Sequence, residues 1–122
     1  MFDKQLQKKL DRAARYFSGQ LKNIRMRYRH QIGTWIAGCA DEKCVSVYIW
    51  FVHDSVIHKN RDHTISDGRP RLSKLRLSEI NLLAEIVGTA ASPEFEVEFC
   101  GFSDGKAKYH LYPTEFLDRA LN

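Results

Sequence analysis

The chain has 122 residues, of which 43% are apolar and 28% are charged. This length and composition predict a single domain over residues 1–122 with its own hydrophobic core, and they exclude a wholly disordered chain. Its three cysteines are odd in number and too few for the disulfide framework of a small secreted protein. No apolar run reaches the ~20 residues of a membrane-spanning helix. We therefore predict a cytoplasmic protein.

The net charge of +4 conceals a strong asymmetry along the chain. Residues 1–30 carry nine basic and two acidic side chains, and residues 55–76 carry six and two. The segments 31–54 and 77–122 have net charges of −2 and −5. If the two basic segments share a surface, that surface suits phosphate groups, anionic lipid or an acidic protein.

Residues 1–30 are predicted to form a long, basic, amphipathic helix, because apolar and basic side chains fall on opposite sides of a helical wheel. The apolar set is Phe2, Leu6, Leu10, Ala13, Phe17, Leu21, Ile24 and Tyr28. A Ser18-Gly19 pair is a candidate kink, since Gly in a helix costs about 1 kcal/mol relative to Ala. The predicted length of ~40 Å exceeds what a small domain needs, so we predict a homodimer through this helix.

A hairpin is predicted after the helix. The run from Thr34 to Cys39 predicts a short strand. The run from Cys44 to Val52 has β-branched and aromatic residues on both faces, which predicts a central strand covered on both sides. A four-residue turn between the two strands places Trp35 opposite Tyr48.

Residues 54–76 show no sustained periodicity and are predicted to form a basic loop, with His63 to Ile65 as a candidate third strand. The basic residues of this loop alternate with neutral hydrogen-bond donors, a mixture that suits phosphate oxygens. The alternative is a solvated flap in which the arginines pair with nearby aspartates.

The second half of the chain predicts a helix, a hairpin and a final helix. Ser78 is the predicted cap of a helix over about 78–89. In the hairpin, alternate residues from Phe95 to Phe99 face the core, and the turn lies at Asp104-Gly105. The last helix opens at Thr114.

The resulting order, α-ββ-(β)-α-ββ-α, predicts an α+β domain with a mostly antiparallel sheet of four or five strands. This order resembles that of the small dimeric chaperones of bacterial type III secretion, which run helix, strands, helix, two strands, helix over a similar length. The resemblance covers most of the chain and rests on topology, without a shared motif. It implies a protein-binding function without chemistry, although those chaperones are generally acidic and this chain is basic.

Two groups of side chains suit metal binding or acid–base chemistry. One group shares no face of a helix or strand, so a polar loop explains it better than an active site. It consists of His53, Asp54, His58 and His63. The cysteines Cys39, Cys44 and Cys100, together with a histidine, could supply four zinc ligands, but strand cysteines are usually buried apolar residues. We therefore predict no catalytic residue, no metal site and no cofactor.

The first functional hypothesis is a small non-enzymatic protein that binds nucleic acid, or associates with it, through phosphate contacts. The predicted contact residues are Lys8, Arg12, Arg15, Lys22 and Arg29 of the helix, with Lys59, Arg61, Arg69, Arg71, Lys74 and Arg76 of the loop. Because most aromatic residues are assigned to inward-facing positions, no platform for stacking on single strands is predicted. The alternative is a protein-binding adaptor, chaperone or inhibitor that uses the same surfaces.

Overall fold

The computed structural model describes residues 3–25, 32–52 and 76–122. These ranges contain three helices and four strands in the order α-ββ-α-ββ-α. The elements are α1 (Lys4–Arg25), β1 (Ile32–Cys39), β2 (Cys44–Phe51), α2 (Leu77–Ala91), β3 (Phe95–Ser103), β4 (Lys106–Pro113) and α3 (Glu115–Leu121). The strands form one antiparallel sheet in the order β1-β2-β4-β3. The predicted α+β class is confirmed, and the candidate strand at 63–65 lies outside the described residues.

Helix α1 begins after Asp3, whose carboxylate accepts the Leu6 backbone N–H at 3.0 Å. The described part of the predicted apolar face, from Leu10 to Ile24, is buried in the core of the same chain, with Phe17 fully buried at its centre. Phe2 and Tyr28 of that face lie outside the described residues. The helix continues through Ser18 and Gly19 without interruption. Since its apolar face is already covered, a dimer through α1 would have to use the polar side, and the homodimer stays a prediction. None of the described helices combines the length and apolar character needed to cross a bilayer.

The sheet has two different faces. All three described helices contribute side chains to one core on the inner face, where they pack against Val45, Val47 and Ile49 of β2 and their neighbours on β4. On the outer face Tyr48 and Trp50 of β2 are only half-buried. Among the described residues Tyr48 packs against Trp35 and no second layer lies over the outer side of β2, so this part of the chain does not bear out the prediction that β2 is covered on both sides.

The first hairpin has the predicted register, with Trp35 paired to Tyr48. In the second hairpin Asp104 and Gly105 have φ values of 54° and 77°, as the tight turn of an Asp-Gly hairpin requires. The β3–β4 register shifts between Phe99 and Gly101, which marks a bulge within β3.

Helix α2 starts one residue earlier than predicted and is longer at its end. The Arg76 backbone N–H donates to the Glu79 carboxylate at 3.0 Å, so the cap is Arg76 and not Ser78. The helix passes through Gly88 and ends at Ala91, because neighbouring residues Ala90 and Ala91 are buried against the core. Tertiary packing thus extends a helix that local signals would have ended.

Candidate functional site on the outer face of the sheet

The outer face carries two chemically different groups of side chains. Alternation along β1, β2 and β4 brings most of these side chains to this face, opposite the core, and the β1–β2 turn and strand β3 supply the rest. The aromatic cluster consists of Trp35, Tyr48, Trp50, Lys106 and Lys108. The His110 cluster consists of Glu42, Cys44, Glu98, Cys100 and His110.

The aromatic cluster is a row of rings with lysines over two of them. The Trp35 and Tyr48 ring centroids are 5.7 Å apart at an interplanar angle of 61°. The Lys106 ammonium lies 5.6 Å from the centroid of Trp50, and the Lys108 ammonium lies 5.6 Å from that of Tyr48. These are cation–π distances. A shallow groove of about 290 Å³ is lined by Trp35, Tyr48, Trp50 and Lys106.

Gly33 determines how the Trp50 indole lies on the sheet. The two residues pair across β1 and β2, and a Cβ atom at Gly33 would overlap the indole ring. The absence of a side chain therefore lets the ring lie against the β1 backbone. The result is a flat aromatic surface next to Trp35, which is 52% exposed.

The charge of the aromatic cluster is positive. None of β1, β2 and β4 contains an Asp or Glu residue, and the carboxylate that acts on Lys108 is Glu42 of the turn between β1 and β2. The Tyr48 phenol beside Lys108 raises the pKa of that ammonium group. Two lysines on one face suit an anionic ligand.

In the His110 cluster, β4 places His110 between two acids. Its Nε2 atom lies 2.9 Å from Glu42 Oε2, and its Nδ1 atom lies 3.4 Å from Glu98 Oε1. Cys44 is fully buried beside them, and burial, reinforced by the charge of Glu42, raises the pKa of its thiol to about 11. Burial and then the Glu98 carboxylate raise the pKa of the Cys100 thiol. Both thiols are therefore protonated at neutral pH in the absence of a bound cation.

The predicted phosphate-binding residues of α1 lie on the other side of the sheet. Four of them are exposed, namely Lys8, Arg12, Arg15 and Lys22. Arg15 lines a groove between α1 and β1, at the edge of the sheet. Lys8 and Arg12 line a cleft beside the ion pair that Lys9 makes with Asp118 at 3.5 Å.

Arg76 is exposed at the start of α2. The other predicted phosphate-binding residues lie outside the described part of the chain, namely Arg29, Lys59, Arg61, Arg69, Arg71 and Lys74. The histidine-rich group considered for metal binding or acid–base chemistry also lies outside it, namely His53, Asp54, His58 and His63. The structure therefore does not test whether the two basic segments share a surface.

The aromatic cluster was not predicted, although the alternation of residues along β2 indicates which side chains share a face. The alternation that buries Val47 and Ile49 also turns Tyr48 and Trp50 to the opposite face, and the predicted pairing adds Trp35 to them. The expectation that no stacking platform exists was based on assigning most aromatic residues to inward-facing positions, whereas Trp35, Tyr48 and Trp50 lie on the outer face. No known protein family, curated protein or solved structure matches this chain.

Proposed function

We propose that the protein binds single-stranded nucleic acid on the outer face of its sheet. The observation that carries this proposal is the aromatic cluster, in which the exposed Trp35 and the half-buried Tyr48 and Trp50 line one groove together with Lys106. In this proposal the rings stack on bases, and Lys106 and Lys108 contact phosphates. Nucleic-acid binding was predicted from the basic helix and loop, and the structure adds a surface with aromatic character.

Stacking explains why single strands are preferred over duplexes. A base in a single strand exposes both of its faces, whereas a base in a duplex is already stacked on its neighbours. Each base that stacks on an aromatic side chain contributes about 1–3 kcal/mol, with little dependence on sequence. The volume of the groove is similar to that of the smallest clefts that hold small ligands, roughly 300 Å³. It therefore suits individual bases.

The two lysines give the cluster its affinity for phosphate. In the free protein each ammonium group lies over a ring, where the cation–π contact holds it in place. A base that stacks on Tyr48 or Trp50 takes the position of the ammonium group, which then reaches the phosphate of the same strand. The exposed basic side chains of α1 form a second candidate phosphate-binding surface. A longer nucleic-acid strand would reach it by passing around the β1 edge of the sheet at Arg15.

The test compares two variants that each remove two positive charges. Binding of a fluorescent single-stranded oligonucleotide is measured by anisotropy across a range of salt concentrations. Lys106→Gln/Lys108→Gln is expected to weaken binding and to reduce the slope of log K against log salt by about 1.4, since each phosphate contact contributes about 0.7 for single strands. Lys8→Gln/Arg12→Gln is the matched control on α1 and is expected to change the slope little, because the oligonucleotide is chosen short enough not to reach α1 from the outer face.

The opposite ranking of the two variants would place phosphate binding on α1 and overturn the outer-face site. Absence of binding at low salt to both single-stranded and duplex oligonucleotides would overturn nucleic-acid binding itself. A duplex that binds as tightly as the single strand would remove the stacking role of the aromatic cluster.

A protein-binding adaptor or chaperone is the second candidate function. The observation that favours it is an apolar patch at the β3 edge of the inner face, where Val97, Phe99 and Phe102 are 41%, 49% and 43% exposed. Phe99 and Phe102 contact each other with ring centroids 5.1 Å apart. An edge strand with an exposed apolar side can accept an extended polypeptide. An adaptor would show no oligonucleotide binding at low salt.

A further inference from the structure

The His110 cluster contains two sets of metal-ligating atoms that share one imidazole ring. The ligand atoms of Glu42, Cys44 and His110 lie within 4.8 Å of one another, and so do those of Glu98, Cys100 and His110. Register explains the convergence, because Glu98 pairs with His110 across β3 and β4 while β2 lies on the other side of β4. The two nitrogen atoms of the ring therefore face different sets.

The Nδ1 side of the ring has the features of an orienting group. Glu98 lies 3.4 Å from Nδ1, and its carboxylate also accepts the Tyr112 hydroxyl at 3.2 Å. Metal-ligating histidines commonly direct one ring N–H to a carboxylate in this way, which fixes the tautomer and aims the other nitrogen at the metal. In this arrangement Glu98 holds the Nδ1 side of the ring, and Nε2 faces Glu42 and Cys44.

The Nε2 side has the features of a ligand set. This nitrogen is buried and makes no hydrogen bond within the described residues, although Glu42 Oε2 is only 2.9 Å away. This separation is close to the spacing of a nitrogen and an oxygen that bind the same zinc ion. The fully buried Cys44 thiol is next to both.

We propose that Glu42, Cys44 and the Nε2 atom of His110 bind a zinc ion, with Glu98 as the carboxylate that orients the imidazole. Ligand atoms around tetrahedral zinc lie roughly 3.3–3.8 Å apart, given bond lengths of about 2.0–2.3 Å. Small side-chain movements therefore close this set around one ion. A thiolate, an imidazole and a carboxylate together favour zinc over magnesium or calcium.

On binding, zinc displaces the Cys44 thiol proton to solvent, and the sulfur becomes a thiolate ligand. Three protein ligands leave a fourth position for water, or for Cys39, which pairs with Cys44 across the first hairpin. The ion joins the turn of that hairpin to β4. This site replaces the expectation from sequence that the cysteines are only apolar residues of the sheet.

Cobalt(II) is the probe for this site, because it occupies zinc sites and absorbs light when a thiolate is bound to it. The full chain is stripped of metal with a chelator and titrated with cobalt(II). We expect one ion per chain, a thiolate-to-cobalt charge-transfer band, and loss of that band when zinc is added. Cys44→Ser is expected to lose the band, whereas Cys100→Ser, a cysteine of the same cluster, keeps it. Glu98→Gln keeps the band with cobalt affinity reduced about 10–100-fold.

Melting temperatures measured with and without zinc separate loss of metal binding from poor folding of a variant. Zinc is expected to raise the melting temperature of the parent protein and of Cys100→Ser, and to leave that of Cys44→Ser unchanged. Absence of the charge-transfer band in the parent protein would overturn the site. A band that survives in Cys44→Ser and disappears in Cys100→Ser would overturn the assigned ligand set.

Discussion

The double variant Trp35→Ala/Tyr48→Ala is expected to bind a single-stranded oligonucleotide at least ~30-fold more weakly than the parent protein. The two rings contact each other on the exposed end of the outer face, and neither belongs to the core. Loss of two stacking contacts at about 1–3 kcal/mol each corresponds to roughly 2–6 kcal/mol of binding free energy. Anisotropy of a labelled oligonucleotide measures the change.

The matched control is Phe99→Ala/Phe116→Ala, which truncates two exposed aromatic residues away from the outer face. These side chains are 49% and 44% exposed, so their loss tests whether aromatic truncation in general weakens binding. We expect affinity within about twofold of the parent protein. If the control weakens binding as much as Trp35→Ala/Tyr48→Ala does, the aromatic cluster is not the stacking surface.

Phe17→Ala is expected to lower the free energy of unfolding by about 3–5 kcal/mol. Phe17 is fully buried where α1 crosses the inner face, and its ring meets that of Phe95 edge-to-face at 5.9 Å between centroids. The substitution leaves a cavity between the first helix and the start of β3. Because a domain of this size is stable by about 5–15 kcal/mol, the loss is a large fraction of the total.

Urea unfolding followed by circular dichroism measures this loss as a lower midpoint. Phe116→Ala is the control, because this ring lies on α3 at the surface. Within the described residues its ring contact is with the Arg119 guanidinium. We expect a change within about 0.5 kcal/mol for it. A loss below about 1 kcal/mol for Phe17→Ala would mean that α1 does not hold the core in the way the structure shows.

The helices and strands whose apolar residues recur at regular spacing could be predicted from sequence. Leu10, Phe17 and Leu21 follow helical spacing, and the structure buries all three. The pairing of Trp35 with Tyr48 followed from the length of the turn alone. Such patterns depend only on residues a few positions apart in the sequence, so the sequence alone is enough to identify them.

The outer face could not be assigned from sequence because Trp and Tyr fit both buried and half-exposed positions of a sheet. β2 has apolar or aromatic residues on both faces, and composition does not say whether a second layer lies over Tyr48 and Trp50. The His110 cluster was harder still. It depends on the pairing of Ser46 with His110, a contact between residues 64 positions apart that no local pattern specifies.

The location of nucleic-acid binding can be tested directly through the two indole N–H groups of the chain. Trp35 and Trp50 are its only tryptophans, and both lie on the outer face. In a ¹H–¹⁵N spectrum of labelled protein, Trp35→Phe assigns the two indole signals. On titration with single-stranded oligothymidylate, we expect both signals to shift and to saturate together with binding. Saturable shifts confined to the backbone of α1, with both indole signals unmoved, would contradict binding on the outer face.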